Sequence, residues 1–259
     1  MGACAVAAVA VGSGLANPAS ATSPPGESEA GASHESAGFS SPEDAVSAYL
    51  EAMAHGDLDV MVGAFAIETY AANYDLTAYL EWVRAYQPTA PILLPSSDPF
   101  NVALNTESRY SRVVSSITFQ YLTLSYPDFE PTEVQPLPED AAVDSFVDDL
   151  SAHITSDGLS SIESFTFVPL EEVSAAAYEH YVSDNNRQSM ARRDSIVGAD
   201  ESTDVAVRFP TAAGDVYALF SLVRYADRWW IQELGGTFAI LIGLEYSNSG
   251  VVAVDRVGQ

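Results

Sequence analysis

Lysine is absent from this chain: all ten basic residues are arginine, against 36 acidic ones. That one absence removes whole chemistries. A P-loop needs Lys on the phosphates. A pyridoxal Schiff base and a Ser-x-x-Lys acyl-enzyme each need a lysine amine, and a protein-kinase site needs one beside the nucleotide. A genome that encodes Arg and Ala in place of Lys accounts for the pattern. Cysteine is almost absent too. The single Cys4 excludes an internal disulfide, a multi-thiolate zinc site and an iron–sulfur cluster. Positive charge is scarce overall, and the net charge of −26 opposes docking on nucleic acid or on anionic lipid. It suits a soluble, self-repelling surface, or attraction of cations or a basic partner.

The motifs of common enzymes are missing as well. No G-x-S-x-G elbow and no H-E-x-x-H helix occurs. Asp184-Asn185-Asn186 begins like a calcium loop, but the Gly and closing Glu do not follow. Asp149 and His153 stand i, i+4 with no third ligand at a recognisable spacing, so they read as a solvated helix face. His180, between Glu179 and Tyr181, reads the same way, and His55 reads as a dipole partner at a helix end. No metal and no cofactor is expected.

What is present starts with an apolar run from Ala3 to Ala16, broken by Asn17-Pro18 and followed by Ala19-Ser20-Ala21. This matches the hydrophobic and cleavage regions of a secretory signal over residues 1–21, cut after Ala21. The run is too short for a stable membrane anchor. The positive charge that opens most signals is missing, which in this reading places the true start upstream of Met1. Gly2-Ala3-Cys4 offers a rival, with Cys4 as a lipidation site and a lipid anchor on the mature protein. Either way the mature form is expected outside the cytoplasm, free or attached to the cell envelope, with no transmembrane span. Residues 22–40, rich in Ser, Gly, Ala, Pro and Glu, read as a disordered linker with His34 exposed.

Residues 41–259 read as one α+β domain, helical over 41–155 and sheet-rich over 160–259. About 220 residues remain to fold, enough for one core. Ser41-Pro42-Glu43-Asp44 is a helix start, and His55-Gly56-Asp57 ends that helix and opens a second through Leu58, Met61, Val62 and Phe65. Further helices are expected over Asp75–Tyr86, from about Thr106 through Tyr121, and from Pro138 through Ile154. Ile162–Val168 alternates as a short strand, and Leu170–Val197 begins helical. Val205, Val207 and Phe209 mark a strand. Asp215–Tyr225 and Trp229–Leu234 form a hairpin about Ala226-Asp227-Arg228. Thr237–Tyr246 and Gly250–Val254 are expected as two more strands.

The segment Ser41–Asp57 resembles the first helix of cone-shaped, cystatin-like α+β domains. These include nuclear transport factors, ketosteroid isomerases and many exported bacterial proteins. The hairpin Tyr217–Leu234, with Arg228-Trp229-Trp230, is similar to that family's last two strands. The resemblance implies N-terminal helices packed on a curved antiparallel sheet that leaves a cavity, here with a helical middle insertion. Ketosteroid isomerases work with an Asp base and Tyr/Asp oxyanion donors in that cavity, but no residue here aligns onto those roles. Tyr49, Tyr79 and Trp82 are the candidate ligand-binding residues, and as aromatics at helical spacing they suit a core equally well. Arg187, Arg192 and Arg193 form the densest basic cluster. The neighbouring Asp184, Asp194, Asp200 and Glu201 suggest internal pairing, with contact to an anion as the sharper reading. The role expected is binding of a small molecule or an envelope protein without catalysis. The alternative is an isomerase, dehydratase or hydrolase using the cavity.

Overall fold

In a computed structural model, Ser41 opens helix α1 (Pro42–His55) as the sequence predicts. Its side chain accepts the Asp44 N–H at 3.1 Å, Pro42 occupies the first turn, and Gly56 closes the helix at φ 69°. Asp57 accepts from Val60 N–H at 3.1 Å and starts α2 (Leu58–Gly63). The structure describes residues 33–84, 93–125, 143–154, 159, 162, 164–211, 214–244 and 249–257. The signal-like segment, Cys4 and most of both Pro-rich connections lie outside them.

Residues 33–40 correct the expected linker, because they pack onto the domain. Glu35 spreads its carboxylate over the start of α3 (Glu68–Asn73), accepting from Ile67 N–H (3.0 Å), Thr69 N–H (2.8 Å) and the Thr69 hydroxyl (2.6 Å). Those amides have no partner inside their own helix, so a carboxylate from elsewhere is stabilised there. His34, expected in solvent, is half-buried and stacks on Tyr110 with ring centroids 4.2 Å apart. Phe39 exchanges both backbone hydrogen bonds with Trp229.

Helix α4 spans Leu76–Val83, capped by Asp75, and stops at Arg84, whose φ is 54°. Helix α5 runs from Pro99 to Ser125, seven residues earlier than the apolar spacing indicated. Its buried face carries Asn105, Arg109, Val113, Ile117 and Gln120, three of them polar, which is why apolar periodicity understates it. Helix α6 is Val143–His153. The strand expected over 162–168 is confined to β1 (Thr166–Val168), and the ambiguous stretch after it folds as α7 (Leu170–Val173), α8 (Ala175–Tyr181) and α9 (Asp184–Val197).

Strands β2 (Glu201–Thr211), β3 (Gly214–Tyr225) and β4 (Arg228–Leu234) make an antiparallel meander, with β1 outside β2. Strand β5 (Val251–Ala253) pairs with the first half of β3, where β4 has left off. Between them the Gly235 N–H donates to Leu219 O, and the Leu219 N–H donates to Gly250 O. A Cβ on Gly250 would stand 2.5 Å from both Gly235 N and Leu219 O, so only glycine permits this junction. The strand expected over Thr237–Tyr246 is instead α10 (Gly236–Leu241). The buried Asp204 carboxylate accepts the Phe238 N–H at 2.6 Å, so a helix start forms where the β-favouring run Thr-Phe-Ala-Ile-Leu suggested a strand.

The sheet is covered on both faces. Ala218, Phe220 and Leu222 join Val207, Phe209, Tyr49, Met53 and Phe65 in one core, and α1, α2 and α5 cover it. Tyr217 and Leu219 point the other way, onto Val173, Ala177, Phe238 and Ala239 of α7, α8 and α10. This is the α+β class expected, with the first helix and the closing hairpin packed together. The helices in the second half of the chain form a second layer. No helix among the described residues is long and apolar enough to cross a membrane.

Candidate functional site

The hairpin carries a defect that faces inward. Ser221 pairs with Glu233 but Leu222 pairs with Ile231, so Gln232 is an extra residue on β4. Such a bulge frees a carbonyl from the ladder and re-aims the neighbouring side chains. The freed Gln232 carbonyl accepts from Nη2 of Arg109 on α5. Beside it lie two adjoining cavities of about 520 and 440 Å³, which share Tyr70, Arg109, Arg112, Gln232 and Glu233.

The smaller cavity is the better defined chemically. Its aromatic wall is Tyr70 from α3, Tyr74 just after it, and Tyr79 and Trp82 one turn apart on α4. The Tyr70 and Tyr74 rings stand 6.4 Å apart, and Tyr74 and Tyr79 6.1 Å. Met190, Arg193, Asp194 and Ile196 of α9 also line it, together with Ser221 and Glu233 of the sheet and Thr237 of α10.

Arg109 is only 8% exposed. Its Nε donates to Ala66 O at 3.2 Å, and its Cζ sits 4.5 Å over the Tyr70 ring. Backbone carbonyls and a π face thus hold the guanidinium, and among the described residues no carboxylate reaches ion-pair distance of it. Arg193 donates from Nη2 to the Thr237 hydroxyl at 2.6 Å. Burial pushes the Glu233 carboxyl above its usual range, against the pull of Arg109, Arg193 and Arg112. Burial likewise raises Asp194. Behind the cavity floor, burial lifts Asp204 to about 7, although it accepts the Phe238 N–H, and its Oδ1 has no hydrogen-bond partner.

Of the three residues proposed from sequence, Tyr79 and Trp82 line this cavity. Tyr49 does not. It is fully buried in the main core against Phe65 and Phe220, and its hydroxyl donates to Gln120 Oε1 at 2.7 Å. Cys4 lies outside the described residues. His55 and His153 each contact the backbone carbonyl four residues earlier, at 2.6 and 2.9 Å. Among the described residues no cluster of three or more metal-ligating side chains forms. Arg193, singled out as part of a basic cluster, does enter the cavity. Tyr70, Arg109, Arg112 and Glu233 went unnoticed. The one available signal was Arg109 and Arg112 sharing a face of α5 that also carries Val113 and Ile117.

No family model matches the chain, and no curated protein matches it. A cystatin-like protein from Ruminococcus gnavus, known from its crystal structure, is similar in structure at 15% identity and a TM-score of 0.45. The match covers 73% of this chain and 38% of that one, so the chain spans well under half of that protein's length.

Proposed function

We propose that this chain is an exported, non-catalytic domain that holds a small organic ligand in the 440 Å³ cavity between α3, α4, α9 and the bulged β4. The observation that carries this reading is the lining itself. Four aromatic rings and four aliphatic side chains stand among the described lining residues beside nine polar or charged ones, which gives a ligand both apolar surface and hydrogen-bonding groups, and the volume falls within the usual range for small-molecule sites. Export rests on the signal-like residues 3–21. Sequencing the N-terminus of the mature protein tests that part: a chain beginning at Thr22 outside the cytoplasm agrees, and a cytoplasmic chain that retains Met1 refutes it.

Trp82 supplies an internal reporter for binding. A small-molecule panel screened by tryptophan fluorescence and thermal shift should yield at least one saturable binder with one-to-one stoichiometry. The double variant Tyr79→Ala, Trp82→Ala should lose it. Binders that persist undiminished in the double variant would move the site elsewhere, and a panel with none would end the proposal.

One observation favours the enzymatic alternative. Glu233 is a carboxyl raised by burial on a cavity wall beside Tyr70, which is the raw material for a general acid or base. Exchange of α-protons of small cyclic ketones into deuterated water, abolished by Glu233→Gln, would support turnover. Exchange no faster than buffer alone leaves ligand binding as the reading.

A further inference from the structure

The geometry points to an organic anion with an aromatic or apolar body as the ligand of this cavity, its acid group held between Arg193 and Arg109. This inference rests on the ligand-binding reading above and adds the charge of the ligand.

The distribution of cations carries it. The whole chain has ten basic residues among 36 acidic ones, yet three arginines, Arg109, Arg112 and Arg193, line this one cavity. Among the described lining residues they outnumber the carboxylates, Asp194 and Glu233. A guanidinium cannot shed its charge as a buried lysine or carboxylate can. Arg109 is more than nine-tenths buried, with two carbonyls and a ring as its neighbours and no described carboxylate within ion-pair reach. A buried charge with no carboxylate at ion-pair distance is costly, because Glu233 acts on Arg109 only from further away, and an anion entering the cavity supplies a closer counter-charge. Arg193, on α9, also lines the cavity, and its Nη2 donates to the Thr237 hydroxyl. A guanidinium fork has further N–H groups to offer, and these suit a carboxylate, sulfonate or phosphate oxygen.

The rings taken alone also fit a quaternary ammonium ion. The arginines decide against it, because a cation here would meet three guanidinium groups. Glu233 does not oppose an anion either. Burial shifts its carboxyl toward the protonated form, which lessens its repulsion of an incoming anion.

A matched pair of fluorescent probes tests this on the full chain. 8-Anilino-1-naphthalenesulfonate carries the acid group, and N-phenyl-1-naphthylamine has the same rings without it. We expect the sulfonate to bind one-to-one and about tenfold or more tighter than the neutral amine, despite the net charge of −26. Arg193→Gln should weaken the sulfonate about tenfold more than it weakens the amine and so erase the preference, and Arg193→Lys should restore part of it. Phenylacetate should displace the sulfonate, and phenyltrimethylammonium should not. Equal affinity for both probes, or displacement by the ammonium ion alone, overturns the inference and leaves ligand binding intact. Failure of both probes to bind, with the circular dichroism of the protein unchanged, defeats the binding reading as well.

Discussion

Asp204 sits at 5% exposure, with one oxygen on the Phe238 N–H and the other without a partner. Burial lifts its pKa to about 7 from an ordinary 3.8, so the folded state holds a proton that the unfolded chain has released. Between those two values the folded form binds more protons than the unfolded one, and stability falls as pH rises through that window. Below pH 4 the effect is absent, and above 7 it is complete, of order 4 kcal/mol for a shift of this size. Asp204→Asn keeps the acceptor and cannot ionise. The variant should therefore gain on the parent steadily from pH 4 to pH 7 in urea denaturation. A difference that stays flat with pH would show that Asp204 titrates normally. Tyr49 offers a second residue-scale test. Tyr49→Phe leaves Gln120 Oε1 buried with no donor, since Gln120 is 0% exposed and its amide nitrogen already serves Ser249 O at 2.8 Å. The urea midpoint should drop by the equivalent of about 1–3 kcal/mol with the m-value unchanged. A loss under about 0.5 kcal/mol would mean water reaches the amide.

At the scale of elements, what the sequence revealed and what it hid divide along one physical line. Features written in neighbouring residues were legible. The Ser41-Pro42 start, the Gly56 stop, the Asp57 cap and the Ala226-Asp227 turn all appear as expected, because each depends on contacts within four residues. Features set by distant partners were not. Helix α10 hangs on Asp204, 34 positions upstream, and Gly236 shows the tightness of that contact, since a Cβ there would lie 2.8 Å from Asp204 Oδ1. The first turns of α5 bury Asn105, which satisfies both the N–H and the C=O of Leu94, yet in sequence it reads like any exposed polar side chain. Half of the candidate site was hidden for the same reason. Tyr79 and Trp82 announce themselves as aromatics one turn apart, whereas Arg109 and Glu233 acquire meaning only when α5 crosses the β4 bulge. The segment 33–40 is the sharpest case, being linker by composition and packed by contact. Glu35→Ala should remove three hydrogen bonds from the start of α3 and cost about 2 kcal/mol, read as a lower thermal midpoint. An unchanged midpoint would return those residues to the linker.

For the whole molecule the dominant fact is 26 uncompensated negative charges. Two effects of salt then compete. Exposed ion pairs weaken as salt rises, and the described residues include Arg208–Asp215 at 2.6 Å and Arg224–Glu201 at 3.0 Å. Each is solvent-accessible and contributes little to stability. Repulsion among the carboxylates acts in the opposite sense, because it favours the expanded, unfolded chain and is also screened. Raising sodium chloride from about 0.01 to about 1 M shortens the screening length from roughly 30 to 3 Å, which removes nearly all repulsion between charges that are not neighbours. With so many like charges the second effect outweighs the first, so the thermal midpoint should rise with chloride, by roughly 2–4 °C for each kcal/mol recovered. Chloride is the right salt for the measurement, since sulfate would raise the midpoint through exclusion from apolar surface regardless of charge. A midpoint that falls steadily with sodium chloride would mean that ion pairing, not self-repulsion, governs the stability of this acidic fold.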